Sequence, residues 1–340
     1  MGAEPEIMLD MPELIQALFD PGAYPHHPRK IELMQTQMSY VFLTDDYVYK
    51  IKKPVDFGFL DYTTLEKRRL YCQKEIELNQ RLCPDAYLDV VTVTSDNGRI
   101  AIGGKGKVEE YAVKMRRLPR EAMMDILLPQ NKVTPEMLAK VAALLSEFHR
   151  KAATGGDIDE FGGIDTVFQN TNENFTQTEK YIGTTVTSET HRRLKNWNEN
   201  FIKTNEALFH KRVAEGRIRD CHGDLHAAHI CFHNGICIYD CIEFNDRFRY
   251  CDVASEVAFL AMDLDHYGYS GLSDSFIDSY VRESGDGELK KLLNFYKCYR
   301  ACVRAKVGCF QYADPYIKAA EKTGILENTK SYFKLAESYI

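Results

Sequence analysis

Two short apolar stretches flank an acidic pair in residues 39–55, SYVFLTDDYVYKIKKPV, and this pattern predicts an antiparallel hairpin turning at Asp45 and Asp46. Side chains alternate along a strand, so Lys50 and Lys52 are expected on one face. The period then lengthens. LDYTTLEKRRLYCQKEIELNQRLCP reads as a helix with Leu70, Ile76 and Leu82 among its apolar residues, closed by Pro84. YLDVVTVTSDNGRIAIGG and VEEYAVKMRRLP supply further strands, with Asn97-Gly98 as a hairpin turn. The sum is a small antiparallel sheet carrying one helix. Residues 7–19 have helical spacing and stop before DPGAYPHHP, which predicts an appended helix outside the core.

Beyond Pro119 the pattern is helical. Residues 134–151 form a strongly periodic segment with Thr134 as N-cap and Pro135 at its first position. Residues 152–175, rich in Gly, Asp, Asn and Thr, read as a long surface excursion. Helical patterns return near 176–214, 252–265, 271–283, 287–310 and 313–338. The expected class is α+β, in three parts: an N-terminal helical extension over 1–34, a small sheet lobe over 35–118 and a larger helical lobe over 119–340. A boundary of this kind is where a ligand is expected.

Composition narrows the field. With 340 residues, 44% of them hydrophobic, the chain can build substantial cores. A net charge of -7 and short basic runs give no reason to expect nucleic acid, and no stretch approaches the apolar length of a membrane span. The first residues lack a leader pattern, so a cytoplasmic location is expected. Ten cysteines without a CxxC spacing are expected as buried free thiols.

The densest chemistry lies in CHGDLHAAHICF, residues 221–232. His222, Asp224, His226 and His229, with Asp240 and Asp252, offer enough ligands for a zinc or iron hydrolase centre, yet HGDLH is not HExxH on a helix. His222 and His226 can also serve the loop as hydrogen-bonding and packing groups, and His233 beside Asn234-Gly235 suits a solvated turn. Phosphoryl transfer accounts for more residues. Asp224 can accept the proton of an acceptor hydroxyl, while Asp240 can hold magnesium, which prefers oxygen ligands. Lys50 or Lys52 can neutralise phosphates, with Glu75 as the carboxylate that holds the lysine.

These residues resemble the aminoglycoside phosphotransferase-like kinases, which share the bilobal protein-kinase-like fold. SYVFLTDDYVYKIKKPVDFGFLDYTTLEKR, EYAVKMRRLP and HGDLH followed by YDCIEFNDRFRYCDVASEVAFLAMDLD look, more narrowly, like a bacterial kinase-like module often fused to a carboxyl-terminal P-loop ATP-binding domain. The resemblance implies ATP- and Mg2+-dependent transfer to a hydroxyl of a small polar metabolite. It places the catalytic aspartate on Asp224, the magnesium aspartate on Asp240, the phosphate lysine on Lys50 or Lys52, the helix glutamate on Glu75 and the loop brace on Asp252. Met115, Arg116, Arg117 and Leu118, in MRRLP, fall on the connection whose backbone would bind adenine.

Two departures matter. His229 stands where the family carries an asparagine that contacts a second metal, so His229 is both a catalytic and a metal candidate and raises the alternative of a pseudokinase or nucleotide-sensing module. No GxxxxGK[ST] occurs, so a P-loop ATPase partner, if used, is separate from or missing from this chain. Glu243 and Asp246, with Asp157, Asp159 and Glu160, offer an acidic acceptor pocket, against the alternative of a solvated charged surface.

Overall fold

The computed structural model describes residues 11–315 and 317–340. It is a mixed α+β protein with two compact units, one comprising Met1–Ala122 and Ile230–Asp246, the other Met123–His229 and Arg247–Ile340.

The first unit is built on a six-stranded antiparallel sheet: β1 (Glu32–Gln35), β2 (Ser39–Leu43), β3 (Tyr47–Lys52), β4 (Tyr87–Asp96), β5 (Arg99–Ile102) and β6 (Lys107–Arg116), in the order β1-β2-β3-β6-β4-β5. The predicted hairpin is β2–β3, with Val41 opposite Lys50 and Ser39 opposite Lys52. Asn97 and Gly98 take positive φ values of 49° and 80°, as a tight hairpin turn demands. β1 begins within the stretch expected as a helical extension, where the pattern predicts no strand.

The alternation of β3 sorts its residues. Tyr49 and Ile51 join Phe42, Val93, Ile102 and Ala112 in an apolar cluster, completed by Met11, Ile15, Leu18 and Tyr24. The segment expected as an appended helix is therefore part of this unit's core; its helix spans Glu13–Ala17, and residues 7–10 of the expectation lie outside the described residues. Lys50 and Lys52 occupy the alternate positions.

The helix Leu65–Asn79 is N-capped by Thr64, whose hydroxyl accepts from the Lys67 N–H. Its buried residues are Arg68, Cys72, Glu75 and Asn79, spaced for one face, whereas Leu70 is 49% exposed. The buried face is polar because ion pairs await it: Arg68 Nε donates to Glu110 at 2.7 Å, and Glu75 meets lysines.

The second unit is mainly helical. Pro135–Lys151 begins as expected, with Thr134 capping the Met137 N–H. Val253–His266, Ser270–Ser284 and Leu289–Ala313 follow the predicted segments closely, whereas the last helix, Ala319–Glu337, begins six residues after the expected 313. The expected surface excursion is instead a 3-10 turn, Gly156–Gly162, and a helix, Ile164–Thr178. Val167, Thr171, Asn174, Phe175 and Thr178 form its buried stripe. Thr171 and Thr178 hydroxyls donate to the carbonyls four residues back, so tertiary packing accommodates residues that favour loops in isolation. No helix among the described residues is long and apolar enough to cross a membrane.

Candidate active site

In the first unit, five charged side chains form a continuous group. Glu75 lies buried and divides its carboxylate between the two candidate lysines: Oε1 is 2.9 Å from Lys50 Nζ, and Oε2 accepts from Lys52 Nζ at 2.6 Å. Lys50 also donates to Asp240 Oδ1 at 2.7 Å. Lys52 is held on its other side by Glu243 and by Tyr62, whose hydroxyl is 3.3 Å away. The Tyr62 hydroxyl donates in turn to Glu243 at 2.5 Å. Glu243, expected as part of an acidic acceptor pocket or a solvated charged surface, is instead 5% exposed and neutralises a buried lysine.

Exposure separates the members. The Lys52 and Glu75 side chains are 1% and 0% exposed, whereas Lys50 and Asp240 are 16% and 42% exposed. The accessible end of the group is therefore Lys50 with Asp240. Burial pulls the Lys50 ammonium down, but Asp240, Glu75 and Glu243 outweigh it and hold its pKa well above the usual lysine range. Burial pushes the Glu75 carboxyl up, and Lys50 and Lys52 reverse that and keep it below the ordinary carboxylate value.

Asp240 sits at φ 62°, a left-handed backbone that a non-glycine residue adopts only when its neighbours impose it. The imposing contacts are visible: the Asp240 N–H donates to the Tyr87 hydroxyl at 3.2 Å and the Cys241 N–H to Asn79 Oδ1 at 2.8 Å. A disulfide joins Cys83, just past the Glu75 helix, to Cys237. That pair departs from the expectation of buried free thiols; outside it, seven of the other eight cysteines are buried and Cys251 is half-buried. In MRRLP, Met115 and Arg116 end β6, the Arg116 N–H donates to the Ala86 carbonyl and the Arg117 N–H to the Asp46 carbonyl. The Leu118 peptide follows this paired stretch.

In the second unit, the HGDLH loop is fixed from several sides. Glu256, buried on Val253–His266, accepts the His222 N–H at 2.8 Å and the Gly223 N–H at 2.7 Å. Its other oxygen lies 2.8 Å from His149 Nε2, and His149 Nδ1 lies 2.7 Å from the Tyr280 hydroxyl. Arg300 donates to the Gly223 carbonyl at 3.1 Å, and Asp263 accepts the Ala227 N–H at 2.8 Å. His222 Nδ1 accepts the Asp224 N–H at 3.3 Å, the hydrogen-bonding role anticipated for it.

The brace expected at Asp252 is elsewhere. Asp252 pairs with Arg212 through contacts of 2.9 and 2.6 Å and caps the Ala254 N–H, while Glu256, one helical turn on, holds the loop. The sequence signal for Glu256 was slight: an acidic residue inside an apolar helix, ASEVAFLAM.

The Asp224 carboxylate is 3.7 Å from His226 Nε2 and 3.6 Å from His229 Nδ1. Burial raises its pKa, but His226, His229 and Arg304 bring it well below the usual carboxylate range. The His226 and His229 rings pack in a tilted arrangement with centroids 4.0 Å apart, and His229 Nδ1 is 2.9 Å from the Asp224 carbonyl oxygen. Asp224, His226 and His229 place one ligand atom each within 4.8 Å of one another. His229 thus belongs to the fabric of the loop as well as to its candidate chemistry.

Known proteins agree with this architecture. A protein of Mycobacterium tuberculosis (strain ATCC 25618 / H37Rv) described as uncharacterised is 34% identical over 291 residues, 85% of this chain and 57% of that protein. The chain thus spans a little over half the length of the curated relatives it matches. Among solved structures, an amicoumacin kinase in complex with AMP-PNP, Ca2+ and Ami aligns over 98% of this chain and 96% of its own, at 12% identity and a TM-score of 0.56. A Plasmodium vivax ethanolamine kinase aligns over 92% and 83%, at 9% identity and a TM-score of 0.52. Residues 67–293 match the phosphotransferase enzyme family, APH, and the chain belongs to that family.

Proposed function

We propose that the protein transfers a phosphoryl group from ATP, with Mg2+, to a hydroxyl of a small polar molecule. The observation that carries this reading is the Lys50–Glu75–Asp240 group: a cation fixed by a buried carboxylate and placed beside a carboxylate that is 42% exposed. Lys50 is suited to neutralise phosphate oxygens. Asp240 supplies the hard oxygen ligand that magnesium requires, on a backbone held to present it. A bound magnesium would draw charge from the phosphate oxygens.

Asp224 serves in this reading as the acceptor-side base. It is ionised, partly exposed and fixed by its loop, so it can orient a hydroxyl and take its proton. The Leu118 peptide is the member of MRRLP we assign to adenine, because the Arg116 and Arg117 N–H groups are already bonded to the Ala86 and Asp46 carbonyls. The greater length of the relatives leaves room for a further module, and a P-loop ATP-binding domain is the partner we propose.

A second reading, a nucleotide-responsive module without turnover, draws on His229, since imidazole nitrogen is a poorer magnesium ligand than an amide oxygen. Calorimetric titration with ATP, run with magnesium and with excess chelator, tests both. Magnesium-dependent binding supports the kinase reading. Metal-independent binding favours the nucleotide-responsive module, and no binding under either condition overturns both.

A further inference from the structure

We propose that Lys52, Glu243 and Tyr62 are positioning residues that set the reactive lysine through Glu75, so that the first unit carries a two-layer ion group rather than one lysine–glutamate pair. This inference rests on the phosphotransferase reading for its consequence, but its geometry stands apart from it.

Glu75 touches both lysines, and each lysine occupies a different oxygen of its carboxylate. A carboxylate gripped on one oxygen alone could rotate or shift toward Lys50. Gripped on Oε2 by Lys52, it offers Oε1 to Lys50 from a fixed place. Lys52 is itself restrained at its far side by Glu243 and by the Tyr62 hydroxyl and ring, the ring centroid being 4.8 Å from Nζ.

Charge balance makes the second layer necessary. Lys50 and Lys52 meet three carboxylates, Glu75, Asp240 and Glu243. Without Lys52, Glu75 and Glu243 would be buried with Lys50 as the sole cation, and Lys50 would be drawn from Asp240 into the interior. Without Glu243, Lys52 would lean wholly on Glu75 and weaken its hold on Lys50. Glu243 also lies three residues beyond Asp240, so one buried contact restrains both the lysine layer and the loop that presents Asp240.

The test uses Glu243→Gln, which keeps the shape and an acceptor oxygen while removing the charge, and Tyr62→Phe as a milder variant that removes one hydroxyl. In the nucleotide-free protein, lysine side-chain NMR should show the Lys50 resonances moving in Glu243→Gln, and moving less in Tyr62→Phe. Lys50 signals unchanged in both variants overturn the inference, whatever the protein does with nucleotide.

The functional arm measures Mg·ATP affinity. Glu243→Gln should weaken it about tenfold in the wild-type background and by less than about twofold beside Lys50→Ala, because the effect travels through Lys50. Equal losses in both backgrounds overturn the inference and leave Glu243 a merely structural residue. If the unmodified protein fails to bind Mg·ATP while the Lys50 resonances move as expected, the phosphotransferase reading fails and the positioning relationship survives.

Discussion

Lys50 Nζ stands 2.9 Å from Glu75 Oε1, while the same carboxylate's other oxygen is taken by a lysine that solvent does not reach. The two lysines therefore differ in what their loss would do. Lys52→Met should cost about 3–5 kcal/mol of stability, because it strands buried carboxylates. Lys50→Met should cost roughly 1–2 kcal/mol, since Glu75 retains Lys52. Urea unfolding of both variants measures the difference, and equal losses would contradict the ranking by burial.

Asp224→Asn should lower phosphoryl transfer about 10²- to 10⁴-fold, the range for removing a general base, with Mg·ATP affinity nearly unchanged. Asp240→Asn should do the opposite first, weakening the magnesium dependence of binding. Turnover at the wild-type rate by Asp224→Asn would remove that residue from the acceptor side.

His229→Asn replaces the imidazole with an amide that can keep a contact to the Asp224 carbonyl and present an oxygen to a metal. The expected result is a higher magnesium-supported rate, read from initial rates across a magnesium titration. A fall in rate with the loop intact would assign His229 a positive role.

Glu256 makes the loop's stability pH-dependent. Burial raises its pKa, but the His149 contact, the charges of His149 and His222 and the Gly223 N–H bring it down to about 2. A carboxyl depressed by folding stabilises the native state fully above its unfolded pKa, and that contribution disappears as pH falls through the window from about 4.5 toward 2. The loss should total roughly 3 kcal/mol. Denaturant unfolding from pH 6 to about pH 3 should show this slope in the wild type and a flatter one in Glu256→Gln.

Lys306 is a half-buried ammonium whose pKa falls to about 8, chiefly through desolvation, with Glu173 only partly opposing. No ion pair within 4 Å engages it among the described residues. A lysine depressed by folding binds fewer protons in the native state between about pH 8 and 10.5, so stability rises with pH across that window. Lys306→Met should stabilise the protein at pH 7 by on the order of 2 kcal/mol, with the advantage shrinking as pH rises. An unchanged melting temperature at pH 7 would mean that water or a neighbour solvates the ammonium.

The legible parts of the candidate site were those governed by local spacing. The alternation of β3 was enough to put Lys50 and Lys52 on one face, and helical spacing separates the buried Glu75 from Glu77, which lies two residues on and is exposed. Glu256 was missed for the opposite reason. Its importance comes from accepting two N–H groups more than thirty residues earlier in the chain, and nothing in its immediate neighbourhood announces that bond.

By itself the sequence determined the β2–β3 hairpin, the Asn97-Gly98 turn, the capped helix after Thr134 and the succession of helices beyond residue 252, because dihedral preferences and hydrophobic periods act over a few residues. Tertiary structure decided which lysine is buried, because the deciding partner, Glu243, is 191 positions from Lys52. It likewise turned the Asn- and Thr-rich stretch before residue 178 into a packed helix, drew residues 11–24 into the sheet's core and gave Glu256 the role expected of Asp252. Burial and charge pairing are properties of a neighbourhood, and only the folded chain assembles one from residues far apart in sequence.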